Sequence, residues 1–237
     1  MIRHSGKTNS RMLVVTLLSF FLLFTLNVSA HKIGGGDQAF LEQSSGAQAI
    51  PYIYLGAKHM VTGFDHLLYL AGVIFFLFRI RDVAVFVSLF ALGHSITLLW
   101  GVLAGWHVNA FLVDSIIGLS VVYKAFENLG GFRAYFKSWL DTRVAVFLFG
   151  LVHGLGLATK LQDFKISEDG LIANMISFNV GVELGQLVAL TFLIMVFSLL
   201  RRSSQFQRNT IRANTLLMTA GFVLMGYQLT GYLVLQG

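Results

Sequence analysis

Apolar residues in this chain come in long runs separated by short polar interruptions. Six runs lie near 51–78, 83–104, 108–129, 143–161, 171–200 and 212–235. Each holds about 20 predominantly apolar residues or more, enough to cross a ~30 Å hydrocarbon layer as a helix. The pattern predicts an all-α fold, a polytopic transmembrane bundle of six spans. Pro51 opens the first of them, where its missing N–H costs little. An earlier apolar stretch, Met12 to Leu26, differs in kind: Arg3, Lys7 and Arg11 precede it and Val28-Ser29-Ala30 follows. That is the layout of a cleavable signal peptide, residues 1–30, with cleavage after Ala30 and His31 as the mature N-terminus. Residues 31–50 contain Gly34-Gly35-Gly36 and Ser44-Ser45-Gly46 and read as a flexible external segment. Residues 51–237 remain for a single six-helix membrane domain.

Loop charges set the orientation. Arg79, Arg81, Arg133, Lys137, Arg143, Arg201, Arg202, Arg208 and Arg212 fall in or beside the loops 79–82, 130–142 and 201–211. The other side carries Lys32, Lys58, Lys160 and Lys165, with Asp163, Glu168 and Asp169 near the last. The positive-inside rule then puts the arginine-rich loops in the cytoplasm and both mature termini outside. The expected location is a bacterial inner (cytoplasmic) membrane. Only 12% of residues are charged, and the net charge of +6 sits in these loops, so it argues topology and not nucleic-acid binding. The chain has no cysteine, which leaves any metal site to imidazole, carboxylate, amide or thioether ligands.

The informative polar residues are those inside the runs, where an ionisable group is costly and by default functional. The first run carries His59, Gly63, Asp65 and His66. On a straight helix the two histidines share one face two turns apart, with Gly63 between them. Asp65 projects roughly 100° from His66. It is a direct ligand only if the helix is irregular there, and otherwise a partner that fixes a histidine tautomer. The second run carries His94, the third Asp114 and Glu127, and the fourth His153 between Gly150 and Gly154. In the fifth, Asn179, Glu183 and Gln186 follow i, i+4, i+7 as a polar stripe, with Ser177, Gly181 and Gly185 as a separate close-packing face.

Depth decides which of these groups meet. At 1.5 Å per residue, His66 and His94 lie roughly 20 Å from the basic residues at their helix ends, and His153 about 15 Å. Glu183 lies roughly 27 Å from Arg201 on the same measure. Asp65, Asp114 and Glu183 therefore fall at similar or slightly outer depth, and His59 and Asn179 nearer the outer surface. Glu127, beside Lys124, is either an interfacial residue or part of a pathway. Any one of these histidines alone would read as an interhelical hydrogen bond, worth only about 1 kcal/mol. Three at one depth, with carboxylates and no thiols, point to a divalent metal site for nickel, cobalt or zinc. His31, with the mature amine, is a further place for metal capture.

Taken together the motifs resemble the HupE/UreJ family, in its second, HupE/UreJ-like branch. The resemblance rests on His59, Asp65 and His66 as His-x5-Asp-His, and on Gly93-His94-Ser95-Ile96-Thr97-Leu98, Ala125-Phe126-Glu127-Asn128-Leu129, His153-Gly154-Leu155-Gly156 and Phe178-Asn179-Val180-Gly181-Val182-Glu183-Leu184-Gly185-Gln186. It spans roughly residues 50–190. It departs at Gly150-Leu151-Val152-His153-Gly154, which has one histidine where nickel-permease members carry two. The resemblance implies membrane proteins of hydrogenase and urease systems, regarded as nickel or cobalt permeases. By analogy His59, Asp65 and His66 would be metal-pathway residues.

The function expected is therefore a divalent transition-metal permease with no energy domain of its own, since no G-x-x-x-x-G-K-[ST] phosphate loop is present. His59, Asp65, His66, His94, His153 and Glu183 form the expected metal set. Asp114, Asn179, Gln186, Glu127 and His31 are pathway or supporting residues. The alternatives are a membrane-embedded metalloenzyme with Glu183 as general base, or a non-transporting assembly partner. An enzyme is not the expectation, because the chain has no H-E-x-x-H pair. The partners expected are the lipid bilayer and the metal ion, with a homo-oligomer left open and nucleic acid excluded.

Overall fold

A computed structural model describes residues 40–41, 43, 45–77, 79–136, 140–162, 168–201 and 204–235. The expected signal peptide and His31 lie outside the described residues, as does most of the 31–50 segment. Among the described residues the main helices, in order, are α1 (Ala49–Thr62), α2 (Phe64–Ile74), α3 (Ile80–Leu103), α4 (Ala110–Asn128), the short α5 (Gly131–Tyr135), α6 (Thr142–Gln162), α7 (Leu171–Arg201) and α8 (Ser204–Leu235). No strand occurs among the described residues. Among the described residues four helices are long and apolar enough to cross a membrane: α3, α6, α7 and the Asn209–Leu235 part of α8. Helix α4 has the length but carries Asp114, Lys124 and Glu127.

The first apolar run departs from expectation. It is not one helix over 51–78 but two, broken at Gly63 and finished by Ile74. Gly63 caps the C-terminus of α1, its N–H donating to the His59 carbonyl at 2.9 Å, and its own carbonyl accepts from Leu67 to start α2. Glycine is the weakest helix former here after proline, and Asp65 in the first turn of α2 favours a new N-terminus by its charge.

Local sequence sets the other helix ends. The Asn109 side chain accepts from the Leu112 N–H at 3.2 Å and caps α4. The Asp141 carboxylate accepts from the Arg143 N–H at 2.8 Å at the start of α6. Gly105 and Gly130, past the ends of α3 and α4, take left-handed φ values of 66° and 78° that only glycine adopts without strain.

Packing follows small residues. Lipid supplies no hydrophobic drive between helices, so close backbone approach has to hold them together. Three pairs form in this way: α1 with α7, α3 with α6, and α4 with α8. A Cβ added at Gly56 or Gly181 would collide with backbone across the α1/α7 contact, and one at Gly93, Gly150 or Gly154 with backbone across α3/α6. Gly118 and Gly221 do the same for α4/α8. The Thr97 hydroxyl adds a bond from α3 to the Leu151 carbonyl of α6 at 2.6 Å.

The short α2 is the hub, touching α1, α3, α4, α7 and α8. Asn128 ties three elements at one end, donating to the Gly72 carbonyl and the Asn214 side chain at 2.9 Å each. Arg201 donates there to the Phe75 carbonyl at 2.8 Å, and we call this the arginine-rich end. At the opposite end Asn174 accepts from the Gln48 N–H at 2.7 Å, and Gln162 donates to the Trp106 carbonyl at 2.9 Å. The outward faces stay apolar, for example Val180, Leu184, Leu187 and Val188 on α7. That surface suits contact with lipid chains.

Candidate metal centre

The break at Gly63 builds the centre. It sets the last turn of α1, with His59, against the first turn of α2, with His66, so that their ring centroids are 5.1 Å apart. A continuous helix would hold residues seven apart about 10.5 Å along its axis. His59 was expected nearer the outer surface; it lies instead beside His66, and the interruption of the helix is the cause. His94 of α3 approaches both, at 6.5 Å from His59 and 6.0 Å from His66. His153 of α6 lies 5.1 Å from His66 on another side. Four helices thus each supply one imidazole.

His66, His94 and His153 have no solvent exposure at all. One ring nitrogen from each of His59, His66 and His94 lies within 4.8 Å of the others. Metal–nitrogen bonds of ~2.0–2.1 Å put two ligands at most about 4.2 Å apart, so a small closure brings all three onto one ion. Three imidazoles without thiolate fit nickel, cobalt or zinc by ligand type.

The rings are oriented by their second nitrogens. His66 Nδ1 lies 3.1 Å from Asp65 Oδ1. His153 Nδ1 donates to the Phe149 carbonyl, one turn back on its own helix, at 2.6 Å, which directs Nε2 outward. That His153 Nε2, and both ring nitrogens of His94, are buried with no hydrogen-bond partner among the described residues. Such atoms are rare in folded proteins and mark a role still to be filled. Gly63 gives the room: a Cβ there would lie 2.8 Å from His66 Nδ1 and 3.1 Å from Asp65 Oδ1.

The remaining expected residues divide. Asp114 is buried and paired with Lys160 of α6, Nζ to Oδ2 at 2.6 Å. Glu127 accepts from Lys124 at 2.6 Å and also from the Thr142 hydroxyl. Asn179 and Gln186 are buried on α7, and Gln186 donates to the Val87 carbonyl of α3 at 3.4 Å. Glu183 does not join them: its side chain is exposed, on the face it shares with Leu184 and Leu187. The stripe spans an arc of the helix, and only its Asn179 and Gln186 edge turns inward.

Aromatic rings surround the histidines. Phe90 packs 4.9 Å from His153 and Tyr69 5.6 Å from it. Both lie at helical spacing from a histidine, Tyr69 three after His66 and Phe90 four before His94, which was the available signal. Lys160, counted as a loop charge, is the partner of Asp114.

No curated protein and no solved structure matches this chain. The HupE / UreJ protein family matches residues 35–236, nearly the whole chain. With its helical membrane fold and buried histidines, the chain belongs to the HupE/UreJ family.

Proposed function

We propose that this protein is a permease that carries a divalent transition metal, nickel or cobalt, across the bacterial inner membrane past its buried histidines. The family is associated with nickel and cobalt accessory and transport roles, which supports the choice of ion. The observation that carries the reading is the convergence of His59, His66 and His94, with ligand atoms within 4.8 Å of one another at a helix break. Discontinuous helices that bring ligands together inside the membrane are a recurring feature of secondary transporters. Asp65 orients His66, and His153 stands as a fourth imidazole beside it. The ion itself is the cargo, moving down its gradient and drawn inward by the membrane potential.

In this reading α1 and α2 together make one span, and α3, α4, α6, α7 and α8 the other five. The arginine-rich end faces the cytoplasm and the mature termini face outward after removal of the signal peptide. Uptake of radioactive nickel and cobalt by cells lacking other importers tests it. Wild type should give saturable uptake and His66→Ala none. Metal bound stoichiometrically by purified protein, with no uptake into proteoliposomes, would move the protein to an enzyme or assembly role.

A further inference from the structure

A cavity of about 860 Å³ lies at the arginine-rich end, lined among others by Val73, Phe86, Lys124, Glu127, Phe132 and Thr142. It does not include the histidines. Three helices nevertheless run from one to the other along single faces. On α2 the face is His66, Tyr69, Val73; on α3 it is His94, Phe90, Phe86; on α6 it is His153, Phe149, Thr142. Each starts at a histidine and ends at a cavity wall.

The middle members touch. The Tyr69 ring lies 5.5 Å from Phe90 and 5.7 Å from Phe149. Phe149 lies 5.3 Å from Tyr123 of α4, which packs 4.6 Å from the cavity-lining Phe132. An aromatic layer therefore separates the histidines from the cavity. A cation cannot cross such a layer without oxygen ligands or water, because its desolvation goes uncompensated. The Tyr69 side chain is 1% exposed, and its hydroxyl has no hydrogen-bond partner among the described residues. The Tyr123 hydroxyl is in the same condition. Phenylalanine would fill the ring space at neither one's cost, so the hydroxyls call for a purpose that packing does not supply.

We propose that Tyr69, Phe90 and Phe149 form the closed inner gate of the permease. The cation leaves the histidines for the cavity through this layer, with the Tyr69 hydroxyl, followed by that of Tyr123, as its oxygen step. This rests on the permease reading. The rings swing aside for each transfer, and the hydroxyls hold the ion or its water during passage.

The test uses purified full-length protein with cobalt(II): binding followed by its absorption in detergent, and uptake into proteoliposomes by quenching of a trapped dye. Tyr69→Phe should bind cobalt as wild type does but transport about 10-fold more slowly, the size expected for losing one hydrogen-bond contact to the moving ion. Phe149→Ala should raise the rate by opening the layer. Wild-type uptake with Tyr69→Phe running at the same rate would overturn the gate alone. So would a Tyr69→Phe protein that no longer binds cobalt, because the residue would then belong to the metal centre. No uptake by wild type would overturn the permease reading and the gate with it.

Discussion

Nδ1 of His66 lies 3.1 Å from Oδ1 of Asp65, the residue just before it in the chain. Neighbours within a regular helix project about 100° apart and rarely meet. These two meet in the first turn of α2, just after the break at Gly63. The carboxylate selects the tautomer in which Nδ1 carries the proton and Nε2 offers its lone pair to an ion. Asp65→Asn keeps an acceptor but loses the charge, and should weaken metal affinity by about 10–100-fold. His66→Ala removes the ring and should leave no saturable binding. Cobalt titration of the purified variants measures both, and an Asp65→Asn affinity equal to wild type would remove the orienting role.

Gly63→Ala should weaken metal binding. Within a helix the replacement normally stabilises by about 0.5–1 kcal/mol. Here the new methyl carbon would stand 2.8 Å from His66 Nδ1 and 3.1 Å from both Asp65 Oδ1 and the His59 carbonyl. It has to displace the pair that orients the metal ligand. The expected outcome is a folded protein with cobalt affinity lowered at least as far as in Asp65→Asn, read by the same titration.

The long helices and their close-packing faces were legible in the sequence because both are local. Gly150 and Gly154, or Gly181 and Gly185, need only an i, i+4 spacing to mark the side where a neighbouring backbone comes close. Matched depth likewise singled out His66, His94 and His153. The break at Gly63 was not legible, since a single glycine inside an apolar run is tolerated by a continuous helix as often as it ends one. On a continuous helix His59 would stand about 10.5 Å along the axis from His66. The outward position of Glu183 was not legible for a different reason. Spacing groups it with Asn179 and Gln186, but only the position of α1, drawn in by Gly181 and Gly185, decides which edge of that stripe is covered. The pairing of Lys160 with Asp114 joins residues 46 apart, beyond any local pattern.

Two glycines separate close packing from mere tolerance. At Gly181 an added Cβ would lie 2.8 Å from Ile53 C and 2.9 Å from its Cα, and backbone on a packed helix cannot yield as a side-chain tip can. At Gly226, in α8, an added Cβ meets nothing within 4 Å. Gly181→Ala should therefore lower the thermal stability of the detergent-solubilised protein by forcing α1 from α7. Gly226→Ala should be neutral or gain up to about 1 kcal/mol from the helix propensity of alanine. Equal melting temperatures for the two variants would contradict the close α1/α7 contact.

Orientation in the membrane can be read with single thiols, because the chain has no cysteine of its own. Tyr135, 79% exposed beyond α4, belongs to the arginine-rich end. Trp106, half exposed, follows α3 at the opposite end. In the proposed orientation, with the arginines cytoplasmic by the positive-inside rule, position 135 lies inside and position 106 outside. The break at Gly63 leaves this count unchanged where, as proposed, α1 and α2 together make one span. Trp106→Cys should react with a membrane-impermeant maleimide added to intact cells, and Tyr135→Cys only after the membrane is opened. Labelling of position 135 from outside would invert the protein. The aromatic gate would then lie on the side where the ion enters, and the histidines would be the inner site.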